Sequence, residues 1–350
     1  MSESQPPPPP TDPDPPLAAA PVSPGPRLED LEGREELSNP FSWSKSRHEV
    51  FTGCRRRYYL QYYAYWGGWA EEAPPRQRRL YVLRRLSSKE QWSGIAVHEA
   101  VARSLERIRR GRPIPLDELV EATRQRMRGE YRNSLHKRYW HQRRGFGLIE
   151  HEYDDPVPRE AWKASWDLVE RCLRGLSALP LWQRLLAEDQ GGWKPIDRLD
   201  SFELEGVEVW AAPDFARVDA SGRLEIVDWK TGTPRPSDAL QLAAYAAFAV
   251  EKWGASPDRI LGRLAYLSTG VEEEVSLDPA AIEGFRAECR GSIQEMRAVL
   301  VPGRENEAIA EEAFPKTEER WRCPGCAFRG ECYPGGRVPS PDPLGAGPSV

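Results

Sequence analysis

The chain has 350 residues, 39% hydrophobic and 29% charged, with 49 Lys and Arg against 54 Asp and Glu for a formal net charge of −5. No apolar run approaches the roughly 20 residues that cross a bilayer, and the opening MSESQPPPPPTDPDPP has neither the basic nor the apolar segment of a secretory leader, so a cytoplasmic protein with no membrane partner is expected. Six cysteines are too few for a secreted disulfide scaffold, which turns attention to metal or redox chemistry.

Eleven of the 33 prolines precede residue 27, in a stretch without an aromatic side chain, so residues 1–38 read as a disordered Pro-rich tail. That tail holds two basic and eight acidic residues, a net of −6 that leaves the rest of the chain near neutral. Residues 45–144 then carry 24 Lys and Arg against 10 Asp and Glu, a net of +14. This half reads either as a surface for a polyanion or as a set of solvated arginine-rich helices. Apolar residues at three- and four-residue spacing predict helices over 44–64, 91–111, 116–142 and 159–188. From Leu199 the pattern shifts to SFELEG, VEVWAAPDFARVD and RLEIVDWK, short β-branched stretches that predict a meander of strands with a turn at Ala220-Ser221-Gly222. Pro236 and Ser237 open a helix running through Trp253, ILGRLAYLS and EEEVSL predict two more strands, and Pro279 to Leu300 predicts a last helix. The Pro/Gly-rich residues 334–350 read as a second disordered tail. The expected fold class is α/β, a central mixed sheet flanked by helices, with a helical N-terminal part and a helical insertion at about 112–195.

Pro213-Asp214 and Asp228-Trp229-Lys230 are the densest chemical candidates. Two antiparallel strands joined by a tight turn would each deliver a carboxylate, and paired carboxylates with a carbonyl form a hard-oxygen site suited to magnesium or manganese. Lys230 projects from the same strand face as Asp228, because strand side chains alternate, and could orient a water and stabilise charge on a phosphate. The plainer alternative is a structural ion pair at a sheet edge. Against it, Asp228 ends the apolar LEIV and Lys230 meets Thr231-Gly232, a strand end of the kind on which catalytic groups are mounted. Cys323-x2-Cys326-x5-Cys332 asks for a fourth thiol: Cys54 is the natural donor, while spacing leaves Cys172 and Cys289 open, and zinc and iron–sulfur both suit four thiolates. Taken alone, His98 on an apolar helical stretch reads more simply as a packed histidine than as a ligand. Gln241 and Tyr245, four apart, share a helix face on which they could equally be packing.

In order, Ser42-x-Ser44, Cys54, His98, Pro213-Asp214, VDWKTG, Gln241-x3-Tyr245 and the three-cysteine cluster resemble the PD-(D/E)XK nuclease superfamily in its RecB-like, AddB-like branch with an iron–sulfur cluster. That branch also includes exonuclease V and the nucleases that trim spacers for CRISPR adaptation. The resemblance spans residues 42–333 and departs from the family in having Arg55, where proline often follows the first cysteine. It implies a restriction-endonuclease-like core and one nuclease domain over 39–333. His98, Asp214 and Asp228 would hold Mg2+ or Mn2+ together with the Trp229 carbonyl, Lys230 would assist the attacking water, and Gln241 and Tyr245 would support the site or touch the nucleic-acid backbone. It further implies a structural [4Fe-4S] cluster on Cys54, Cys323, Cys326 and Cys332. The activity implied is that of a metal-dependent deoxyribonuclease on single strands or ends, with a helicase or defence-complex protein as a possible partner. Two alternatives remain: a catalytically weak nucleic-acid-binding or assembly subunit, and a zinc-stabilised RNA-binding protein.

Overall fold

The computed structural model describes residues 38–142 and 145–339, so the expected tails fall outside the described residues apart from Ser38 and 334–339. Strand β1 (Ser42–Trp43) leads into α1 (Lys45–Gly53), whose first turn is capped by the Ser44 hydroxyl accepting from the Arg47 N–H at 3.1 Å. The helix expected over 44–64 breaks at Cys54. Its extended backbone (φ −166°, ψ 110°) ends α1, and its sulfur accepts from the Arg57 N–H at 3.4 Å to start α2 (Arg55–Tyr59), followed by a π turn at Leu60–Ala64. Helix α3 (Pro75–Leu83) follows, and α4 (Lys89–Arg109) starts with a reciprocal Ser88–Gln91 capping box.

Helices α5 (Leu116–Leu135), α6 (Ile149–Glu152), α7 (Arg159–Leu176) and α8 (Pro180–Ala187) lie within the expected insertion. The single helix expected over 159–188 is two, because Pro180 has no N–H to donate and holds Leu179 extended (φ −68°, ψ 132°). The helix expected over 116–142 ends at Leu135, where Lys137 turns left-handed (φ 49°) before a 3-10 turn at Arg138–Trp140.

The strands that follow are β2 (Asp200–Leu204), β3 (Val207–Ala211), β4 (Phe215–Val218) and β5 (Leu224–Lys230). VEVWAAPDFARVD thus supplies two strands to two different sheets, parted at Pro213, which has no N–H for a ladder. After α9 (Pro236–Trp253) come β6 (Ile260–Tyr266), β7 (Val271–Ser276), α10 (Pro279–Arg297), the hairpin β8 (Leu300–Val301) and β9 (Arg304–Ala308), and α11 (Arg329–Cys332). A small sheet has the order β1-β3-β2, and the main sheet the order β4-β5-β6-β7. In the main sheet β5 and β6 are parallel and both outer pairings antiparallel. This is the mixed α/β class expected, and no helix among the described residues is long and apolar enough to cross a membrane.

The central parallel pair β5–β6 is buried on both faces, as a parallel pair with crossover helices requires, while the edge strand β7 is largely exposed. Leu224, Ile226 and Leu264 pack with Leu242 and Phe248 of α9 and Phe285 of α10, while Phe215, Val227, Trp229 and Ala265 face Val97 of α4, Leu173 of α7 and Leu181 of α8. Glu225 is buried in this sheet between Arg217 at 2.8 Å and Arg263 at 2.6 Å, so its charge is matched twice. The chain also packs past Cys332: Pro334–Gly336 forms a 3-10 turn, and a Cβ on Gly336 would stand 2.4 Å from the Tyr153 ring.

The insertion is seated on the sheet by a close approach at Gly175, where a Cβ would lie 2.1 Å from the Leu267 carbonyl oxygen beyond β6. Backbone cannot yield as a flexible side chain can. Gly175→Ala is therefore expected to destabilise the protein by about 1–3 kcal/mol through overpacking, read as a lowered thermal midpoint; an unchanged midpoint would contradict this seating.

Candidate active site

Alternation along β5 turns Leu224, Ile226, Asp228 and Lys230 toward α9 and the Trp229 indole to the opposite face, where it meets Trp182 with ring centroids 6.4 Å apart. Phe215 of β4 pairs with Val227 of β5, so Asp214, one residue earlier, falls opposite Asp228. One Asp214 oxygen accepts from the Trp229 backbone N–H at 2.9 Å, and the other lies 3.2 Å from His98 Nδ1 on α4. Asp228 is 1% exposed and neither of its side-chain oxygens has an aligned hydrogen-bond donor, although Lys230 Nζ stands 2.5 Å from Oδ2. Lys230 donates to Gln241 Oε1 at 2.9 Å, and Gln241 Nε2 donates to the Tyr245 hydroxyl at 2.7 Å. His98, Asp214, Asp228, Lys230, Gln241 and Tyr245, chosen from 148 positions of sequence, thus form one continuous polar chain.

Three further residues join them. Lys45, the first residue of α1, donates to the same Gln241 oxygen at 3.3 Å. Asp238 lies 3.3 Å from Lys230 Nζ and also accepts from the Arg235 N–H at 3.0 Å and the Tyr266 hydroxyl at 3.2 Å. An acidic residue in the first turn of a helix was a readable signal for a cap, but nothing local tied it to the lysine. Asp197, held at the left-handed φ of 45°, donates its N–H to the Asp214 carbonyl at 3.2 Å, and its charge acts on both His98 and Tyr245.

Burial and like charge compete across this chain. Burial is the largest influence on His98 and opposes its charge, yet Asp214, Asp228 and Asp197 together lift the imidazole to about 9. Burial would raise Asp214, but the His98 charge and the Trp229 N–H hold it below the ordinary carboxylate range. Burial and the Asp214 charge push Asp228 up to about 7 despite Lys230. Burial is the largest influence on Lys230 and lowers it, but the charges of Asp228, Asp238 and Asp214 together leave it raised. Burial, then both carboxylates, push the Tyr245 phenol well upward, so it stays neutral.

Among the described residues, no three His, Cys, Asp or Glu side chains stand in the geometry of a metal site. Lys230 faces Oδ2 of the buried Asp228, while Oδ1 has no hydrogen-bond donor and is costly to bury unless a cation or proton meets it, and the Asp214–Asp228 pair offers the hard oxygens that magnesium or manganese take.

At the far end of α1, Cys54, Cys323 and Cys326 line a cavity of about 600 Å³. Burial first, then the Cys54 and Cys323 charges, raise the Cys326 thiol; burial and the Cys326 charge push Cys332 up to about 11. Cys54 and Cys323 thus act on Cys326, and Cys326 and Cys54 on Cys332, a conflict that a bound cation relieves. Cys172 and Cys289 lie elsewhere, fully buried in α7 and α10, with their thiols raised by burial to about 11 and about 12.

No curated protein matches the chain. Among solved structures, the one titled "Crystal structure of SSO0001" aligns with 51% of this chain and 76% of its own at 14% identity, with a TM-score of 0.27, too low to carry an argument. A family model described as the PD-(D/E)XK nuclease superfamily matches residues 42–333, the span that holds both the carboxylate chain and all six cysteines, and the protein belongs to that superfamily.

Proposed function

We propose that this chain is a metal-dependent deoxyribonuclease of the RecB-like branch, hydrolysing phosphodiesters of single strands or strand ends, with residues 39–333 as its nuclease domain. The observation that carries this reading is Asp228: a buried carboxylate without an aligned donor, opposite a second carboxylate and beside a lysine on its own strand face. His98, Asp214, Asp228 and the Trp229 carbonyl would hold Mg2+ or Mn2+, and such an ion supplies charge neutralisation and a more acidic water. The chain's own groups do the rest. Lys230 keeps its proton, so its ammonium orients the water and meets negative charge developing on the phosphate as the water oxygen bonds to phosphorus, gives up its proton to solvent, and one bridging P–O bond breaks. Gln241 and Asp238 fix that ammonium from two sides, and neutral Tyr245 fixes Gln241.

Asp228→Asn is expected to lower cleavage of labelled DNA in Mg2+ by about a thousandfold while the protein still folds. Lys230→Ala should lower kcat comparably but leave metal affinity in place. Full activity in Asp228→Asn would end the nuclease reading.

The raised values of Asp228 (3.8 to about 7) and His98 (6.5 to about 9) make the folded protein bind more protons than the unfolded chain. Their stabilisation is full below the unfolded values and lost as pH rises through about 7 and about 9. Asp214, held low, acts in the opposite sense, its contribution being lost in acid. Metal-free protein should therefore lose thermal stability between about pH 6 and 9, and Mg2+ should stabilise it more at the upper end, where protons no longer compete. A midpoint that rises over this interval, with a pH-independent Mg2+ effect, would contradict the site.

We further propose a structural [4Fe-4S] cluster on Cys54, Cys323, Cys326 and Cys332, tying the two ends of the domain together. Cys54, Cys323 and Cys326 line one cavity, and Cys332 is raised by the Cys326 and Cys54 charges, which supports this reading. Cys→Ser at any of the four is expected to abolish bound iron, acid-labile sulfide and visible absorption in anaerobic preparations, whereas Cys172→Ser and Cys289→Ser should keep all three. Stoichiometric zinc without sulfide in the wild type would overturn the cluster's identity.

A further inference from the structure

Helix α4 separates two surfaces. Gln91, Gly94 and His98 share one face by helical phase; His98 meets Asp214, and a Cβ on Gly94 would lie 3.8 Å from the Thr231 hydroxyl, just past Lys230. Trp92, one residue around the helix from Gln91, instead turns toward α5 and α7 and lines a pocket of about 650 Å³. His98 lies six positions after Trp92, about 9 Å along the helix axis.

The wall of this pocket is aromatic. Tyr131 of α5 meets Trp162 of α7 edge-on with centroids 5.2 Å apart, Trp92 lies 6.5 Å from the same ring, and Trp166 stands one turn further along α7. The indole N–H groups of Trp92 and Trp166 are already engaged, donating to Glu130 at 2.6 Å and Glu170 at 3.1 Å; Trp92 is itself buried, so the half-buried Tyr131, Trp162 and Trp166 supply the ring surface a ligand meets. The rim is cationic. Arg124, Arg128 and Arg132 recur every fourth residue along one face of α5. Arg124 lies over the Trp166 ring at 4.7 Å with Glu121 and Glu170 nearby. Arg128 and Arg132 are exposed and, among the described residues, form no salt bridge.

We propose that this pocket is a subsite for unpaired nucleobases of single-stranded DNA, whose phosphates meet Arg128 and Arg132. Bases in a duplex have both faces covered, and an acidic peptide would answer the guanidiniums but leave the aromatic wall without a partner; unpaired bases on a phosphate backbone answer both. The inference rests on the nuclease reading for the direction of the strand, which would run past the N-terminal turn of α4 to the carboxylates.

The test uses the full chain in EDTA, where binding is read without cleavage: anisotropy of a labelled 20-residue oligothymidylate, of the matching duplex and of oligouridylate, across a KCl series. Trp166→Ala is expected to weaken single-strand binding by about tenfold. Arg128→Gln with Arg132→Gln should lower the salt slope by about 1.4, two phosphates at about 0.7 each. Duplex affinity should hold in both variants, and 5-iododeoxyuridine in the oligonucleotide should crosslink to α5 or α7. Because Arg128 and Arg132 are exposed, their substitution leaves a folded protein to measure even if Trp166→Ala does not. Unchanged single-strand binding in the arginine variant, equal losses for duplex and single strand, or crosslinks confined to other elements would overturn the subsite, and tighter binding of oligouridylate would overturn the assignment to DNA. Absence of cleavage by wild type in Mg2+ would instead remove the nuclease reading, so the two failures are distinguishable.

Discussion

Two carboxylates forced together out of water lose their hydration and repel, and each element around Asp214 and Asp228 answers one part of that cost. The β4–β5 pairing sets them opposite each other, and the Trp229 N–H holds one oxygen of Asp214 so that the side chain cannot swing away. His98 meets the other oxygen with a proton it keeps to about pH 9. Asp228 receives no such hydrogen bond. Its compensation is a proton of its own, held to about 7, and the nearby Lys230 ammonium, itself steadied by Asp238 and Gln241. Protons held on paired carboxylates are what a divalent cation displaces where it binds such a pair.

The surrounding fold makes this strain bearable. β5 is covered on one face by α9 and α10 and on the other by α4, α7 and α8, so the strand carrying Asp228 and Lys230 cannot shift register without turning its apolar residues out of both cores. The same burial explains Glu225, which would be unsupportable in the sheet without Arg217 and Arg263 on either side. α4 links the parts: its His98 face belongs to the carboxylates and its Trp92 face to the insertion, whose seat against the sheet is the backbone contact at Gly175.

Much of this was legible in the chain, and the reason differs from element to element. RLEIVDWK announces a buried strand because an apolar run ending in charges has few other ways to fold, and its alternation already puts Asp228 and Lys230 on one face. The antiparallel turn before it was readable from Ala220-Ser221-Gly222, and with it the approach of Asp214. Its meeting with His98, across 115 intervening residues, was not readable from spacing; it came from the resemblance. Asp238, Asp197 and Lys45 were missed because each looks locally like something ordinary: a helix cap, a loop acid and a solvated lysine. The breaks at Pro180 and Pro213 were visible in the missing N–H groups, but the apolar period ran through them and prevailed in the expectation. α3 and the β8–β9 hairpin gave little signal, since PRQRRLYVL is apolar chiefly in its last turn and RENEA is polar throughout.

The claim on which all this depends is that the Asp214–Asp228 pair exchanges protons for a divalent cation. Calorimetric titration of Mn2+ into metal-free protein, in buffers of differing ionisation enthalpy at pH 6 and at pH 9.5, measures that exchange directly. The account predicts one site, with proton release at pH 6 that vanishes at pH 9.5, above the values of both Asp228 and His98. No Mn2+ binding, or binding without proton release at pH 6, would contradict it.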